Sequence, residues 1–303
     1  MDVIGVIDYR STESVITFIN KLVEGNHKII VHINGFGPEE RELLYISQFG
    51  SLINERIFIS KSQENLGFAG GCNRLIDYFA NQLNSNGYLA LCNDDLEINL
   101  EQCDFFFNQA RKNKIETLMG TKILSDDNTI LHTHYSFNKV LFVPNRFHII
   151  DEKYYSDDTF VEEVELVHGS FMILSRPLIN TIFEKRGYIF DERFFAYREE
   201  SELQLFIGRT LKLPVYYLNS GGIIHIGSVS TGGRNNSVVM YFLNRNSLLI
   251  SKLYHNFVLH IIYFLYHLSL YGLYTFISLK RDYFYSYILG IYDHLFKNYG
   301  KFR

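Results

Sequence analysis

Three polar residues that directly follow an apolar run are the first side chains in this chain that could do chemistry. Residues 88–91 are typical of a buried strand, and Asn93, Asp94 and Asp95 come directly after it. Carboxylates at the carboxyl end of a strand can bind a hard divalent cation, which can bind the diphosphate of a nucleotide. The alternative is a solvated turn, the commoner structure for an isolated Asn-Asp-Asp sequence. The position after a buried strand favours the cation site.

A second acidic cluster lies among aromatic residues. The segment 190–203 contains Glu199, Glu200 and Glu202 together with three phenylalanines and a tyrosine. Aromatic side chains beside acids make a partly desolvated site, where one carboxylate can accept a proton from a sugar hydroxyl. A helix amino terminus explains the acids equally well, because the helix dipole stabilises them regardless of function. Both interpretations remain open on spacing alone.

Two further segments carry weaker signals. Residues 65–73 are glycine-rich and run from a strand end into a helix, where backbone amides can approach an anionic group. They match neither the Walker pattern nor the three-glycine dinucleotide fingerprint, so ordinary loop geometry is an alternative. His225 ends a predicted strand, and one of its ring nitrogens could complete a metal site. The other ten histidines, including His132, His134 and His168, are interpreted as structural.

An α/β fold is expected to position these clusters. Up to about residue 125, short β-branched runs alternate with helical patterns. This alternation predicts right-handed crossovers and a mainly parallel sheet, with ligands at the carboxyl ends of the strands. The predicted strands are 3–7, 29–33, 56–59 and 88–91, and the predicted helices are 14–23, 39–49 and 71–83.

The rest of the chain divides into three parts. Hairpin-like strands are predicted around residues 126–128, and the acidic, tyrosine-rich stretch 151–158 predicts a mobile loop. After Pro177 we expect a helix, a short strand and a further strand at 222–226. From Met240 onwards the chain is rich in tyrosine and phenylalanine. We therefore predict a catalytic domain at 1–238 and a helical extension at 239–303.

Composition limits the class of protein. The chain has 303 residues, of which 47% are hydrophobic and 20% charged, which excludes intrinsic disorder and suffices for a large core. A net charge of −4 argues against nucleic-acid binding. The three cysteines lack metal-finger spacing and fit a reducing compartment. No signal core is expected before the first strand, so the cytoplasm is the predicted location.

In chain order, the four clusters resemble the motifs of the family 2 glycosyltransferases, inverting enzymes of the GT-A fold. The resemblance covers about the first three quarters of the chain. Residues 65–73 are similar to the family's Asn-x-Gly-Phe-Ala-Gly-Gly-x-Asn element, and 93–95 to its Asp-x-Asp-type metal motif. Residues 194–203 resemble its Phe-Phe-x-Tyr-x-Glu-Asp-x-Asp-Leu segment.

Two later pieces agree with the same family. His225 with Ser228 or Ser230 is similar to its later histidine motif. Arg245 with Asn246 is similar to an Arg-Asn pair that is common in sugar transferases of polysaccharide assembly. The order of all these pieces along the chain matches the family.

The resemblance implies transfer of a hexosyl or deoxyhexosyl group, with inversion, from a UDP- or dTDP-sugar to a lipid-linked glycan acceptor in cell-surface polysaccharide synthesis. It implies a Mn²⁺ or Mg²⁺ cofactor bound by Asp95, Asp94 and His225, with Asp95 most important. Glu200 matches the general base, and Glu199 is the alternative. The residues that the resemblance assigns to the nucleotide sugar are Tyr9, Asn34, Asn65, Gly67, Gly70, Asn73, Asn93, Asp94 and Arg245.

The chain departs from the family pattern at several positions. Asn34 stands where the family often has Asp, Glu200 and Glu202 replace aspartates, and Phe206 stands near a usual arginine. Two other functions remain open. A nucleotidyltransferase would need a glycine-rich, basic loop where this chain has residues 8–11. A noncatalytic module that binds glycan or membrane is the other alternative, and the sequence leaves the oligomeric state open.

The charge-free run 253–279 is long enough to cross a bilayer. Its pattern instead predicts a helix along the inner membrane interface, because polar and apolar positions recur at intervals of three or four. The weakly polar positions are Asn256, His260, Tyr263, His267, Tyr271 and Tyr274. The apolar positions are Phe257, Ile261, Phe264, Leu265 and Leu268. The flanking Lys252, Lys280 and Arg281 could contact anionic lipid, and a helix packed on the catalytic domain or in a dimer is the alternative.

Overall fold

The computed structural model describes residues 1–137, 144–145, 154, 158–226, 237–273 and 281–302. Helices flank a mixed, mostly parallel and curled sheet in this part of the chain. The strands are β1 (Val3–Asp8), β2 (Lys28–Asn34), β3 (Ile57–Ser62), β4 (Tyr88–Cys92), β5 (Leu96–Glu97), β6 (Leu118–Leu124), β7 (Ile130–His132), β8 (His134–Phe137), β9 (Pro144–Asn145), β10 (Phe160–Val164), β11 (Leu166–Val167), β12 (Phe171–Ser175) and β13 (Val215–His225).

The α-helices are α1 (Thr12–Asn20), α2 (Pro38–Phe49), α3 (Gly67–Asp77), α4 (Leu100–Lys112), α5 (Arg176–Arg186), α6 (Glu199–Leu205), α7 (Ser237–Tyr254), α8 (Phe257–Tyr266) and α9 (Arg281–Leu295). A 3₁₀ turn covers Gly50–Leu52. Wider, π-type turns extend three of the helices, at Tyr78–Gln82, Phe206–Leu211 and His267–Tyr271.

Eight strands follow one another in the main sheet in the order β10-β13-β6-β12-β4-β1-β2-β3. Strands β1 to β4 are parallel neighbours, and β13 is parallel to β6. Strand β12 runs antiparallel between β4 and β6. Strands β1 and β6 are buried along their whole length, as expected for strands covered on both faces. The predicted α/β class with a mainly parallel sheet is confirmed.

Most predicted elements are present, with two informative differences. Helix α3 begins at Gly67, four residues before the predicted start, because the glycines themselves form its first turn. Strand β13 begins at Val215, well before the predicted residue 222. Its register shifts between Leu218 and Ile223, and Gly222 lies there with φ +83°. Gly221 and Gly222 suggested a strand boundary in the sequence, whereas in the structure they lie at a bulge within one strand.

Apolar layers cover both faces of the sheet. Phe18, Tyr45 and Phe106 belong to the layer under α1, α2 and α4. Leu75 and Ile179 belong to the layer under α3 and α5. A third cluster joins Phe194 and Leu205 to α7, α8 and α9; its members on those helices include Leu248, Tyr263 and Tyr287. The segment around residue 194 is therefore packed directly on the C-terminal helices.

Among the residues that the structure describes, no helix is long and apolar enough to cross a membrane. The predicted mobile loop at 151–158 falls almost entirely outside those residues, as do Ser228, Ser230 and Tyr274. The predicted hairpin around 126–128 is confirmed by antiparallel pairing of β6 with β7.

Four histidines of the C-terminal helices, His255, His260, His267 and His294, lie close together, and His267 and His294 are buried. The Oγ atom of Ser251 lies 3.0 Å from Nδ1 of both His255 and His260. Burial lowers the pKa of His267 to about 4, with a further contribution from Arg198. Burial and the neighbouring His260 lower the pKa of His294 to about 3. These imidazoles are therefore neutral in the folded protein near neutral pH.

We expect the free energy of unfolding to fall as the pH drops below about 6.5. Unfolded histidines bind protons near that pH, whereas folded His267 and His294 remain neutral down to about 4 and about 3. The stabilisation is complete above pH 6.5, and each histidine loses roughly 1.4 kcal/mol of it per pH unit below that. Urea unfolding between neutral pH and about pH 5 measures the slope.

Replacing His294 isolates this contribution from that of the carboxylates. His294→Gln should make the dependence on pH shallower, because one neutral buried base is removed. Equal slopes for the variant and the unchanged protein would contradict the assignment.

Candidate active site

A buried carboxylate fixes the end of β1. Asp8 is inaccessible to solvent and forms an ion pair with Arg41. Its Oδ2 atom accepts hydrogen bonds from Tyr45 Oη and Thr12 Oγ1, both at 2.8 Å, and Oδ1 accepts one from the Ser11 amide at 3.1 Å. This network holds the turn that follows β1 against α1 and α2. It was not predicted from the sequence, although Asp8 ends an apolar strand just as the predicted metal motif does.

Aromatic and cationic side chains form an accessible platform beside that turn. The guanidinium carbon of Arg10 lies 3.7 Å from the centre of the Phe36 ring. The Tyr9 and Phe36 rings are 5.4 Å apart in an edge-to-face arrangement. Arg10 and Phe36 both have left-handed backbones, with φ of +61° and +57°, which is rare for such residues and concentrates at functional sites. An exposed ring with an adjacent cation can stack on a flat heterocycle and attract phosphate.

Asn34 is directed into the protein. The amide nitrogen of its buried side chain donates to Asn65 Oδ1 at 3.2 Å and to the Gly67 carbonyl at 3.1 Å. Its oxygen accepts the Leu66 amide at 2.8 Å. Asn34 and Asn65 therefore hold the glycine-rich turn on the end of β2. The predicted contact of Asn34 with the nucleotide sugar remains a prediction.

The glycines of that turn allow close packing against residues 190–198. Gly67 has φ +72°, and a Cβ atom on it would overlap the Phe195 carbonyl and ring. The Ala69 amide donates to the same carbonyl at 3.1 Å. A Cβ on Gly70 would lie 2.7 Å from Leu66 Cβ. The first turn of α3 therefore contacts protein, and ligand binding by Gly67 and Gly70 stays a prediction.

Asn73 ties α3 to the same segment. Its amide nitrogen donates to the Phe190 carbonyl at 2.9 Å and to Glu192 Oε1 at 3.0 Å. Its oxygen accepts the Phe190 amide at 2.8 Å. The helix and the segment that leads to the acidic cluster are thus joined, and the structure assigns Asn73 a role in positioning.

The predicted metal motif meets His225 because the backbone brings them together. Strand β5, directly after the motif, pairs with the end of β13, so that Leu96 lies opposite His225. The Ile226 amide also donates to the Asp95 carbonyl at 3.0 Å. As a result, Asp95 Oδ1 and His225 Nε2 lie 3.0 Å apart. Neither buried atom has a hydrogen-bond partner, and the two would form an ion pair when His225 is protonated.

This pair of atoms fits a divalent cation. Two ligands at right angles, each about 2.1 Å from an ion, would lie about 3 Å apart, as these atoms do. Within the described part of the chain no group of three or more His, Cys, Asp or Glu could hold a metal ion. A cation here would therefore take its remaining ligands from a substrate or water, as Mg²⁺ commonly does when it binds phosphates.

Asp94 adds charge to the same turn. Burial raises the pKa of its carboxyl to about 6, a hydrogen bond with Ser11 opposes the shift, and the charges of Asp95 and Asp8 contribute to it. Carboxylates repel one another when they lie this close, and a bound cation would relieve the repulsion. Asn93 is held next to them by a hydrogen bond from its amide to the Ser170 carbonyl, at 2.9 Å.

The two candidate bases differ sharply in environment. Glu199 is almost wholly buried and its Oε2 atom has no hydrogen-bond partner. Burial, and secondly the charge of Glu200, raise the pKa of Glu199 well above its usual value. Glu200 is more accessible, and its Oε1 atom accepts a hydrogen bond from Ser201 Oγ at 3.1 Å. Burial therefore favours the protonated form of Glu199, while Glu200 is accessible to another molecule.

Glu202, the third acid of the cluster, has a structural role. Its Oε1 atom accepts 2.8 Å hydrogen bonds from Arg186 Nη1 on α5 and Tyr254 Oη on α7. It thereby fastens α6 to two neighbouring helices. The acidic cluster thus contains one accessible carboxyl (Glu200), one buried carboxyl without an ion-pair partner (Glu199) and one ion-paired carboxyl (Glu202).

The loop 168–170 links the metal motif to the acidic cluster. The Ser170 carbonyl accepts the Asn93 amide, and a Cβ on Gly169 would lie 2.6 Å from Glu200 Cγ. The His168 ring lies 6.3 Å from that of His225 and stacks at 4.1 Å on that of His132. From sequence, His132 and His168 were interpreted as structural and this loop was missed. Its position directly before the buried strand β12 was the available signal.

Backbone strain precedes the acidic helix. Phe195, Tyr197 and Arg198 have left-handed backbones, with φ of +64°, +65° and +74°. The two N–H groups of the Asn246 side chain are shared among the carbonyls of Phe194, Ala196 and Tyr197, at 2.9, 2.8 and 2.6 Å from its nitrogen. The surrounding protein must supply the energy for such conformations, and these hydrogen bonds do so.

Arg245 adds further hydrogen bonds to the same loop, and we call the side chains of Arg245 and Asn246 together the clamp. Arg245 is the largest fully buried side chain in the described part of the protein, and its Nη2 atom donates to the carbonyls of Arg193 and Phe194 at 3.0 and 2.9 Å. Its Nη1 atom donates to the Gly300 carbonyl at 2.7 Å. In this structure Arg245 joins the 193–198 segment to α7 and to Gly300. The predicted contact of Arg245 with the nucleotide sugar stays a prediction.

Comparison with models of known protein families gives no match for this chain, and comparison with curated proteins gives none either. The geometry of the site is therefore the basis for assigning a function.

Asn246→Ala should lower the free energy of unfolding by about 2 to 3 kcal/mol, because the partly buried carbonyls of Ala196 and Tyr197 in a strained loop lose the Asn246 donor. Hydrogen exchange of the amides at 195–199 should accelerate at the same time. Chemical denaturation and exchange mass spectrometry measure the two effects.

Asn244→Ala is the matched control. Asn244 is equally buried on the same helix, but its side-chain nitrogen has no hydrogen-bond partner. If both variants lost the same stability, and neither changed exchange at 195–199, the clamp would have no special role.

Proposed function

We propose that this protein is an inverting, metal-dependent glycosyltransferase of the GT-A fold. It transfers a hexosyl or deoxyhexosyl group from a nucleotide diphosphate sugar to a glycan acceptor. One observation carries the proposal: Asp95 Oδ1 and His225 Nε2 face each other at 3.0 Å without a hydrogen bond, at the carboxyl ends of the sheet strands. In open α/β sheets this edge is where ligands bind.

The platform of Tyr9, Arg10 and Phe36 suits the nucleotide. It lies after β1 and β2, at the same edge as the carboxylate motif after β4. Phe36 is 45% exposed and can stack on the base, while Arg10 attracts the phosphates. Ser11 links the two parts, because its amide bonds to Asp8 and it also interacts with Asp94.

Asp95 and His225 would hold a Mn²⁺ or Mg²⁺ ion, with Asp94 as an adjacent charge. Such an ion neutralises negative charge that develops on a diphosphate leaving group. The donor set of one carboxylate oxygen and one imidazole nitrogen suits Mn²⁺ in particular, since imidazole is a typical ligand for transition metals.

Glu200 is the proposed general base. The acceptor hydroxyl oxygen forms a bond to the anomeric carbon as the bond to the diphosphate breaks, and the hydroxyl proton passes to Glu200. Attack opposite the leaving group inverts the anomeric carbon. Burial favours the protonated form of Glu199, which makes it a poorer acceptor of that proton than the more accessible Glu200.

Cell-surface polysaccharide synthesis on a lipid-linked acceptor, at the inner face of the membrane, is the proposed setting. The chain's resemblance to transferases of polysaccharide assembly supports it. Neither the donor sugar nor the acceptor linkage follows from the site, because pocket shape decides both.

Asp95→Asn should abolish transfer, because an amide oxygen carries no charge for the cation. Manganese affinity, measured by calorimetry or by electron paramagnetic resonance, should fall by at least a factor of about ten, and EDTA should inactivate the unchanged enzyme. Nucleotide release from UDP- and dTDP-sugars, with a lipid-linked acceptor extract, reports turnover.

Glu97→Gln is the matched control, because Glu97 is an exposed acid two residues further along the chain. It should retain activity and metal binding. Full turnover in excess EDTA would exclude the cation, and the proposed site with it.

Glu200→Gln should reduce turnover by a factor of about a hundred or more while donor affinity remains, because the base acts only on the acceptor. Glu199→Gln should have little effect, since glutamine resembles a carboxyl that is already protonated. Steady-state kinetics and donor titration separate the two quantities. The reverse order of effects would assign the base to Glu199.

A further inference from the structure

Helix α8 is packed with its polar face inward. Its inward side chains include the buried Tyr263, and His267 is buried in the turn after the helix. Its outward side chains are apolar: Phe257 is 78% exposed and Leu265 is 57% exposed. A surface helix of a water-soluble domain normally has the opposite arrangement. The predicted faces are present in part. Phe257, Ile261, Leu265 and Leu268 are directed away from the protein, whereas Phe264 packs against the third cluster and Asn256 is exposed.

Helix α9 extends this apolar surface. Tyr285 is 67% exposed and Phe296, just after the helix, is 63% exposed. Further large side chains on its outer side are also exposed; they are Phe284, Ile288, Tyr292 and Leu295. None of these residues was assigned to a surface from the sequence. We call the outward side chains of α8 and α9, including Phe257 and Leu265, the apolar face.

A groove runs within the apolar face. It lies between the turn after α8 and helix α9 and has a volume of about 410 Å³. Its lining is almost wholly apolar, formed by Leu268, Ser269, Gly272, Leu273, Phe284, Tyr287 and Ile288. Contiguous exposed apolar patches beyond a few hundred Å² are rare on soluble monomers and mark interaction sites.

The part of the sequence that carries the apolar face is basic. From Lys252 to the end, the chain contains six lysines and arginines and two acids, although its overall net charge is −4. One acid, Asp293, is buried and accepts a hydrogen bond from Tyr241 Oη. Among the described residues of this region, Asp282 is the exposed acid and Lys252 and Lys297 are exposed cations, while Lys301 is paired with Glu64.

We propose that the apolar face docks on an anionic lipid membrane, with α8 and α9 lying in the interface. Tyrosines such as Tyr285 and Tyr292 suit the headgroup level, and phenylalanine and leucine side chains suit the acyl boundary. Exposed lysines add attraction to the anionic headgroups, which high salt weakens.

Charge disfavours a second copy of this chain as the occupant. A two-fold dimer would pair two surfaces of the same charge pattern, in which exposed lysines outnumber exposed acids. An anionic membrane complements that charge instead.

The inference stands independently of the proposed transferase reaction, although it would bring the site near a lipid-linked acceptor.

Vesicle flotation tests the proposal with the full-length protein. The probes are vesicles of phosphatidylcholine alone and vesicles that also contain phosphatidylglycerol, without donor or acceptor. We expect binding to the anionic vesicles that is partly reduced by high salt. Phe257→Asp combined with Leu265→Asp should weaken it by a factor of about ten or more, because both side chains lose apolar burial and add negative charge.

Leu43→Asp combined with Leu44→Asp is the matched control. These leucines are also exposed but lie on α2, outside the apolar face. The control should bind vesicles as the unchanged protein does, and circular dichroism should show that both variants are folded. Equal binding by both variants, or no binding to anionic vesicles, would overturn the proposal.

Light scattering identifies the alternative occupant. A dimer that dissociates in the Phe257/Leu265 variant, with no vesicle binding by the unchanged protein, would assign the face to a second copy. Because the vesicles carry no substrate, a failed docking test leaves the transferase assignment unaffected, and a failed transferase assay leaves docking unaffected.

Discussion

The hydrogen bonds from Arg245 and Asn246 to the carbonyls of residues 193–197 are the interaction on which the acidic cluster depends. Three residues between Phe195 and Arg198 have left-handed backbones, a conformation that side chains other than glycine resist. Charged and amide donors in a buried environment form strong hydrogen bonds, and here they meet carbonyls that no helix or strand would satisfy. The loop in turn presents its Phe195 carbonyl to α3 and starts α6 at Glu199.

A second constraint of the same kind fixes the metal motif. Backbone pairing of β5 with β13, and the bulge at Gly222, set where His225 ends its strand. The side chains of Asp95 and His225 then face each other because their backbones are fixed. Their lack of a hydrogen bond is energetically costly for buried polar atoms, a cost that persists in proteins chiefly where function requires it. Rigid backbone on both sides is what a binding site needs.

The sequence predicted the parts of the structure that depend on local pattern. Periodicity identified β1 to β4 and α1 to α3, and strand ends identified Asp94, Asp95 and His225 as neighbours at one edge. It did not predict that Gly67 packs against Phe195, because that close approach depends on a partner over a hundred residues away. The hydrogen bonds from Arg245 to the 193–194 carbonyls were not predicted for the same reason, because a buried arginine and a ligand-binding arginine look alike in sequence.

The C-terminal helices have an inner side and an outer side that make different kinds of contact. Their inner side contributes Arg245 and Asn246 to the strained loop, together with neutral histidines and the Tyr254 hydroxyl that bonds to Glu202. Their outer side is apolar and basic. Helix α9 packs against α7, and the chain then continues to Gly300, whose carbonyl accepts from Arg245. Any contact made by the outer side thus involves elements that also hold the acidic cluster.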